Sequence, residues 1–307
     1  MAAGLDSPQG LNGRGRGARR RIGGALYRRP WLRGLSLLAP PVAAFTAVYV
    51  AALAVLFVSA FWGVDPFAGT LIRHFSFDNF RTLWDASVYH TIALRTIGIA
   101  AAVTLTDALV AFPIAYFMAR VAKPRSRSIL FVMVLLPLWS SYLVRVYAWR
   151  LILNKEGVLN WVLHGFGLPA ANIAYSNTAV WIVFSYVWLP FMIVPIYAAL
   201  ERIPHSYLEA SRDLGARGSR TFRSIVLPLA LPGVVAGSIF TFSLTLGDYI
   251  TPKLVGGSSS DFIGNVVFDS VGVSNNVPFA AAYATVPLLV MGVYLVLAKR
   301  SGAFEAL

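Results

Sequence analysis

Apolar residues run along this chain in blocks too long for the core of a soluble domain. The clearest lies between Arg33 and Asp65 and holds no charge. A helix that crosses hydrocarbon needs about 20 mostly apolar residues. Further blocks of that kind occupy roughly 95–119, 128–150, 177–200, 229–250 and 279–298. The pattern predicts six spans and an all-α, polytopic membrane helix bundle. The first block is too long for the apolar region of a signal peptide, so an uncleaved first helix is expected. Pro113, Pro137, Pro190, Pro195 and Pro287 fall inside the blocks. Each removes a backbone donor and tends to kink its helix. No strong internal repeat is visible, which weighs against a secondary transporter built from duplicated halves.

Composition strengthens this reading. The 307 residues are 57% hydrophobic and 13% charged, where a soluble domain carries about 25% charged residues. The net charge of +13 raises the question of nucleic acid, but a nucleic-acid surface needs its cations gathered on one soluble face. Here they lie between the apolar blocks. With the N-terminus inside, the cytoplasmic segments hold nineteen of the 26 Lys and Arg residues, and the positive-inside rule then places both termini in the cytoplasm. Residues 1–33 form an Arg/Gly-rich tail without apolar periodicity, expected to be disordered and to act as a topogenic anchor on anionic lipid. Residues 34–300 form the membrane domain, and 301–307 a short cytoplasmic tail.

Several chemistries are excluded. There is no Cys, hence no thiol catalysis and no Cys-based metal site. His74, His90, His164 and His205 lack ligand spacing, so no metal is expected. A P-loop needs Gly directly before its Lys, and the four Lys residues follow Ala, Asn, Pro and Ala. The chain therefore has no ATP site of its own and binds no cofactor. An intramembrane enzyme needs a polar catalytic cluster at membrane depth, and none is visible.

Ionisable residues inside spans are costly and are functional candidates by default. Asp107 lies near the middle of the second span, Asp248 near the outer end of the fifth, and Arg145 and Arg150 late in the third. Either carboxylate can line a path for a cation. Equally, each can pair with an internal Arg or, for Asp248 after Gly247, close a helix end. Trp139, Tyr142, Tyr147 and Tyr249 suit either cation–π contact with an ammonium or an interfacial aromatic belt. The loop after the first span is aromatic (Phe75, Phe77, Phe80, Trp84, Tyr89), and its Phe77-Asp78-Asn79-Phe80 run is expected to start a short helix capped by Asp or Asn.

The most informative stretch is Glu201 to Pro232, with its working part at 201–228. Ser206 and Glu209 stand three apart, as in a capping box. The pattern predicts a short helix from about Tyr207 to Leu214, Gly215 as a left-handed terminator, and a second helix from Ser219 to Pro228: a helix-turn-helix on the cytoplasmic face.

Here the sequence resembles a known family. Glu209-Ala210-Ser211, then Gly215, then Ile225-Val226-Leu227-Pro228 is similar to the EAA loop of ABC importer permeases: Glu-Ala-Ala, three residues, Gly, nine residues, Ile-x-Leu-Pro. Ser211 in place of the second Ala is the one departure, a small residue for a small residue. The resemblance implies the type I importer bundle. It also implies that Glu209, Ala210, Ser211, Gly215, Ile225, Leu227 and Pro228 couple the spans to a separate ATPase. Two stretches, 136–149 and 246–257, resemble the spermidine/putrescine permeases, and the long charged N-terminus resembles the first of their two permease subunits. The implied assembly has two cytoplasmic ABC ATPase subunits that carry ATP and Mg, a second homologous permease, and a solute-binding protein outside. It sits in a bacterial inner membrane and works by alternating access, with Asp107, Tyr142, Arg145, Asp248 and Tyr249 as candidates to line the path. A permease for another small solute stays open as an alternative. An ion-coupled carrier is the main rival of another class; it needs buried mid-membrane charge, which only Asp107 supplies.

Overall fold

The computed structural model describes residues 30–300 except 66, 67 and 259, with the backbone alone at 30–33, 35 and 36. The N-terminal tail up to residue 29 and the tail 301–307 lie outside the described residues.

Helix α1 (Pro30–Ser59) carries Pro40 and Pro41 in its first half and forms a unit by itself. The second unit begins at Ser59. Its first feature is a small antiparallel hairpin, β1 (Gly63–Val64) with β2 (Leu71–Ile72), which the all-helical reading did not foresee. Four phenylalanines form a cluster centred on Phe61, which stacks on Phe75 at 4.6 Å and meets Phe80 at 5.2 Å and, edge-on, Phe77 at 5.3 Å. The expected short helix is present as α2 (Asp78–Asp85), but neither Asp78 nor Asn79 caps it. Asn79 instead donates its amide to the carbonyls of Ala60 and Trp62, both at 2.8 Å, and ties the helix to the segment at the start of the second unit.

Helix α3 (Ser87–Tyr116) starts eight residues before the expected span and ends in a π-helical turn (Phe117–Val121). The expected continuous span at 128–150 is the main correction to the topology. It is broken into α4 (Pro124–Leu135), a 3₁₀ turn (Leu136–Trp139) and α5 (Tyr142–Leu153) followed by α6 (Val158–Gly165). The two helical stretches meet at 93°. Pro137 removes a donor, and Ser140 takes the extended conformation, its hydroxyl donating to the Pro137 carbonyl at 2.7 Å. Among the described residues, five helical stretches are long and apolar enough to cross a membrane, or six if this bent pair counts as one span.

Helix α7 (Asn177–Glu201) is the axis of the bundle and packs against both α3 and α10 (Leu227–Gly247), which also pack on each other. The small residues of Gly233-Val-Val-Ala-Gly237 allow that approach. A Cβ on Gly233 would lie 2.6 Å from Ala199 Cβ, and one on Gly237 would lie 2.6 Å from Met192 Sδ. Polar side chains stitch the crossings, with Trp181 Nε1 donating to Thr106 at 3.1 Å and Thr241 to Thr104 at 3.4 Å. Helix α11 (Ile263–Gly272) packs on α12 (Val277–Arg300), which joins α3 through Tyr283, whose hydroxyl donates to the Tyr89 carbonyl at 2.8 Å.

Candidate functional site

The loop between α7 and α10 is a helix-turn-helix. Its first helix, α8, runs Pro204-capped from His205 to Asp213. This corrects the capping box: the N-cap is Pro204, without a side-chain cap hydrogen bond, and Ser206 already lies inside the first turn.

The C-terminal signal reads as expected. Gly215 has φ +73°, its N–H bonds the Arg212 carbonyl at 2.8 Å, and the Ala216 N–H bonds the Ser211 carbonyl at 3.0 Å. This is a Schellman closure. The second helix, α9 (Gly218–Thr221), is shorter than expected, because a π turn (Phe222–Val226) carries it on into α10 without a break. The helix does not stop at Pro228, which instead lies in the first turn of α10 and is tolerated there. One continuous helical stretch, Gly218–Gly247, therefore runs from the loop into the core.

The substituted position of the motif takes part in this geometry. Ser211 is buried, and its hydroxyl shares a hydrogen bond of 2.8 Å with Thr221, which ties α8 to α9. Ala210, Ser211, Gly215, Ile225 and Pro228 all line one open groove of about 620 Å³. Glu209 is exposed on α8 outside that lining, and Leu227 is exposed at the start of α10. Two residues that the sequence reading passed over join the groove: Tyr207, 53% exposed, and Leu214, 88% exposed. Their signal was present, as large apolar side chains in an otherwise polar loop.

The interior candidates separate into two kinds. Asp248 is the C-cap of α10, and its carboxyl is saturated. One oxygen accepts from the N–H groups of Ile250 (2.7 Å) and Thr251 (3.1 Å). The other accepts from the hydroxyls of Tyr142 and Thr251. Tyr142 and Asp248 are thus brought together, joining α5 to the segment after α10. Tyr249 stacks on Phe268 with centroids 4.3 Å apart, while its carbonyl receives the Asn265 amide at 2.8 Å.

Asp107 is fully buried in α3, and neither carboxyl oxygen has a hydrogen-bond partner. The Ser185 hydroxyl of α7 faces the carboxyl and has no other partner. Arg145 lies 6.0 Å over the Tyr142 ring, with Nε and Nη1 buried and unpartnered. It forms no ion pair with either Asp; Arg127 pairs with Glu201 and Lys253 with Asp269. No group of His, Asp and Glu residues suited to a metal occurs among the described residues.

Residues 111–302 match the family of binding-protein-dependent transport system inner membrane components. The inner membrane ABC transporter permease protein YdcU of Escherichia coli K12 is 44% identical over 300 residues, spanning 94% of this chain and 95% of that protein. The spermidine/putrescine transport system permease protein PotB of Haemophilus influenzae is 32% identical, spanning 67% of this chain and 72% of its own. Among solved structures, a chain of a bacterial alginate ABC transporter in complex with an alginate pentasaccharide-bound periplasmic protein superposes with a TM-score of 0.69 at 18% identity, covering 91% of this chain and 96% of that one. A chain of the MetNI methionine ABC transporter, in inward-facing form, gives a TM-score of 0.54 at 15% identity, covering 71% and 95%. At those identities the structural likeness concerns the fold.

Proposed function

The chain belongs to the family of binding-protein-dependent inner-membrane transport components, and from that premise we propose that it is the first-type permease of an ATP-driven polyamine importer. The likeness to PotB supports the solute class. A helix-turn-helix continuous with a core helix supports the mode of coupling, and it is the observation that carries the reading: α8, closed by Gly215, displays a groove, and α9 passes without a break into α10. In this reading α8 lies on the cytoplasmic face and docks on an ATPase subunit through Tyr207, Ala210, Leu214 and Gly215. Two such ATPases, carrying the ATP and Mg, serve this chain and a second, homologous permease. A solute-binding protein delivers from outside, and both termini lie in the cytoplasm. Closure of the ATPases draws the coupling helices together and switches the bundle between two packed arrangements, which is alternating access.

The path runs at the face this chain offers to the second permease. Asp248, with Tyr142 and Tyr249, shapes its outer end as a hydrogen-bonded junction. Asp107 is the free carboxyl of the interior. It meets solute only when α3 and α7 part, so its contribution to an ammonium passes with the conformational cycle.

The test is uptake of labelled putrescine and spermidine by the complete complex in proteoliposomes, with binding protein outside and ATP inside. ATP-dependent uptake supports both the class and the solute. Binding-protein-stimulated ATP hydrolysis with another solute, and no polyamine uptake, retains the permease and replaces the solute. Uptake driven by an ion gradient without ATP overturns the reading.

A further inference from the structure

The coupling loop is tied to one helix at both of its roots. Arg120 stands in the π turn that closes α3, and its Nη2 donates to the carbonyl of Leu200 and, at 2.7 Å, to that of Ile203. These carbonyls belong to the last turn of α7 and to the residue before Pro204. The last carbonyls of a helix lack intrahelical donors, and a cation is favoured at that end of the dipole. Arg127, in the first turn of α4, returns the contact. It donates to the carbonyls of Met118 (3.2 Å) and Ala119 (3.0 Å) at the end of α3 and pairs with Glu201 at 3.2 Å.

The other root is held by an aromatic slot. Phe222 opens the π turn after α9 and meets Phe112 at 5.6 Å and Tyr116 at 6.1 Å, both edge-on and both on α3. Everything between Ile203 and Phe222, which is the whole of α8 and α9, is therefore suspended between two grips on α3. Both grips involve π turns, a local distortion that recurs at functional sites. From there α3 runs between α7 and α10 and carries Asp107 into the core.

We propose that Arg120 and Phe222 are positioning residues that make α3 move with the coupling helix, so that displacement of α8 by the ATPase becomes displacement of the interior carboxyl. This rests on the permease reading above. If the two residues only held the loop in shape, their loss would loosen α8 alone, and the bundle would still switch whenever ATP is bound and hydrolysed.

The chain contains no Cys, so pairs of labels can be introduced without background. Asp213→Cys on α8, exposed and outside the groove lining, and Leu109→Cys on α3, 67% exposed, place the labels away from the docking residues. Spin labels at these sites give the α8–α3 distance in the full complex, nucleotide-free and vanadate-trapped. In the otherwise unmodified chain the distance is expected to hold between the two states. With Arg120→Gln it is expected to change by about one helical turn, roughly 5 Å, while the ATPase still co-purifies and solute moved per ATP, read with labelled putrescine, falls at least severalfold. Arg120→Lys, which can reach one carbonyl, restores most of the constant distance.

Phe222→Leu gives the same readout at the second root and stands in if Arg120→Gln does not insert. A distance that stays constant in both variants overturns the inference, as does one that already changes in the unmodified chain. Failure of the unmodified chain to co-purify with any ATPase overturns the permease reading itself and the inference with it.

Discussion

The close crossing of α7 and α10 can be tested by adding one methyl group. In Gly233→Ala the new Cβ would sit 2.6 Å from Ala199 Cβ, 2.6 Å from the Pro195 carbonyl oxygen and 3.1 Å from Ile196 Cα. None of these is the end of a flexible side chain, so the helices must separate by about 1 Å to reach ordinary contact distance. A gap of that size forfeits about a quarter to a half of each contact's dispersion energy. In lipid there is no hydrophobic drive to compensate, because packing is itself what holds the helices together. Overpacking a tight interior site costs about 1–3 kcal/mol. At about 2–4 °C per kcal/mol for a chain of this order of size, a cost near 2 kcal/mol lowers the melting temperature by about 4–8 °C.

The chain's eight Trp residues allow intrinsic fluorescence to follow unfolding in detergent. Gly98 in α3 and Gly292 in α12 serve as internal standards, since a Cβ on either meets nothing within 4 Å. Their replacement by Ala should be neutral or stabilise by up to about 1 kcal/mol, the helix-propensity difference. Equal melting temperatures for Gly233→Ala and Gly98→Ala would refute the close crossing as the determinant of the core.

Three further outcomes are expected. Gly215→Ala meets no atom within 4 Å but must hold φ +73°; at about 1–2 kcal/mol for that conformation, affinity for the ATPase subunit in a pull-down titration should fall about tenfold, and Gly215→Asn should lose less. Tyr142→Phe removes the hydroxyl shared with Asp248 and Thr251 and should cost about 1–2 kcal/mol in thermal unfolding. Asp248→Ala should cost more, because it also leaves two backbone N–H groups without their acceptor; the reverse order would show that the carboxyl is not the centre of that junction. Asp107→Asn should melt at or above the unmodified temperature, since neither carboxyl oxygen has a partner to lose, and unchanged uptake in the same variant would exclude Asp107 from the path.

The elements legible in the sequence were those governed by chemistry along the chain. Long apolar blocks located the spanning helices, the Phe77 run located α2, and Gly215 located the end of α8, because a left-handed turn has few substitutes. The misreadings share a different cause. Ser206 and Glu209 have capping-box spacing, yet Pro204 fixes the helix start two residues earlier. The third block is apolar throughout, so length alone favoured one helix; Pro137 with Ser140 and Ser141 marked the break but competed with a strong hydropathy signal. The second helix was expected to reach only Pro228, and a proline within a helix normally costs an i to i−4 hydrogen bond. The π turn before it shifts the hydrogen-bond register, and the helix continues. None of these outcomes is a matter of composition; each depends on which of two local rules wins at one residue.

The two interior aspartates carry the same lesson into the function. By sequence both are carboxyls in or beside a span, and either could line a path or close an internal contact. In the structure they differ in hydrogen bonding. Asp248 accepts from two backbone amides and two hydroxyls, so a cation that recruited it would have to compete with groups already at bonding distance. Asp107 has no comparable set of donors, only the Ser185 hydroxyl facing it. A buried polar group without a partner costs stability, and retaining one in the core is favourable only if some state of the protein supplies the partner. Within the alternating-access cycle proposed here, that state is one in which α3 has moved. The unsatisfied carboxyl in the middle of α3 and the two grips at its end then belong to one design: the helix that carries the cost is the helix the coupling loop holds.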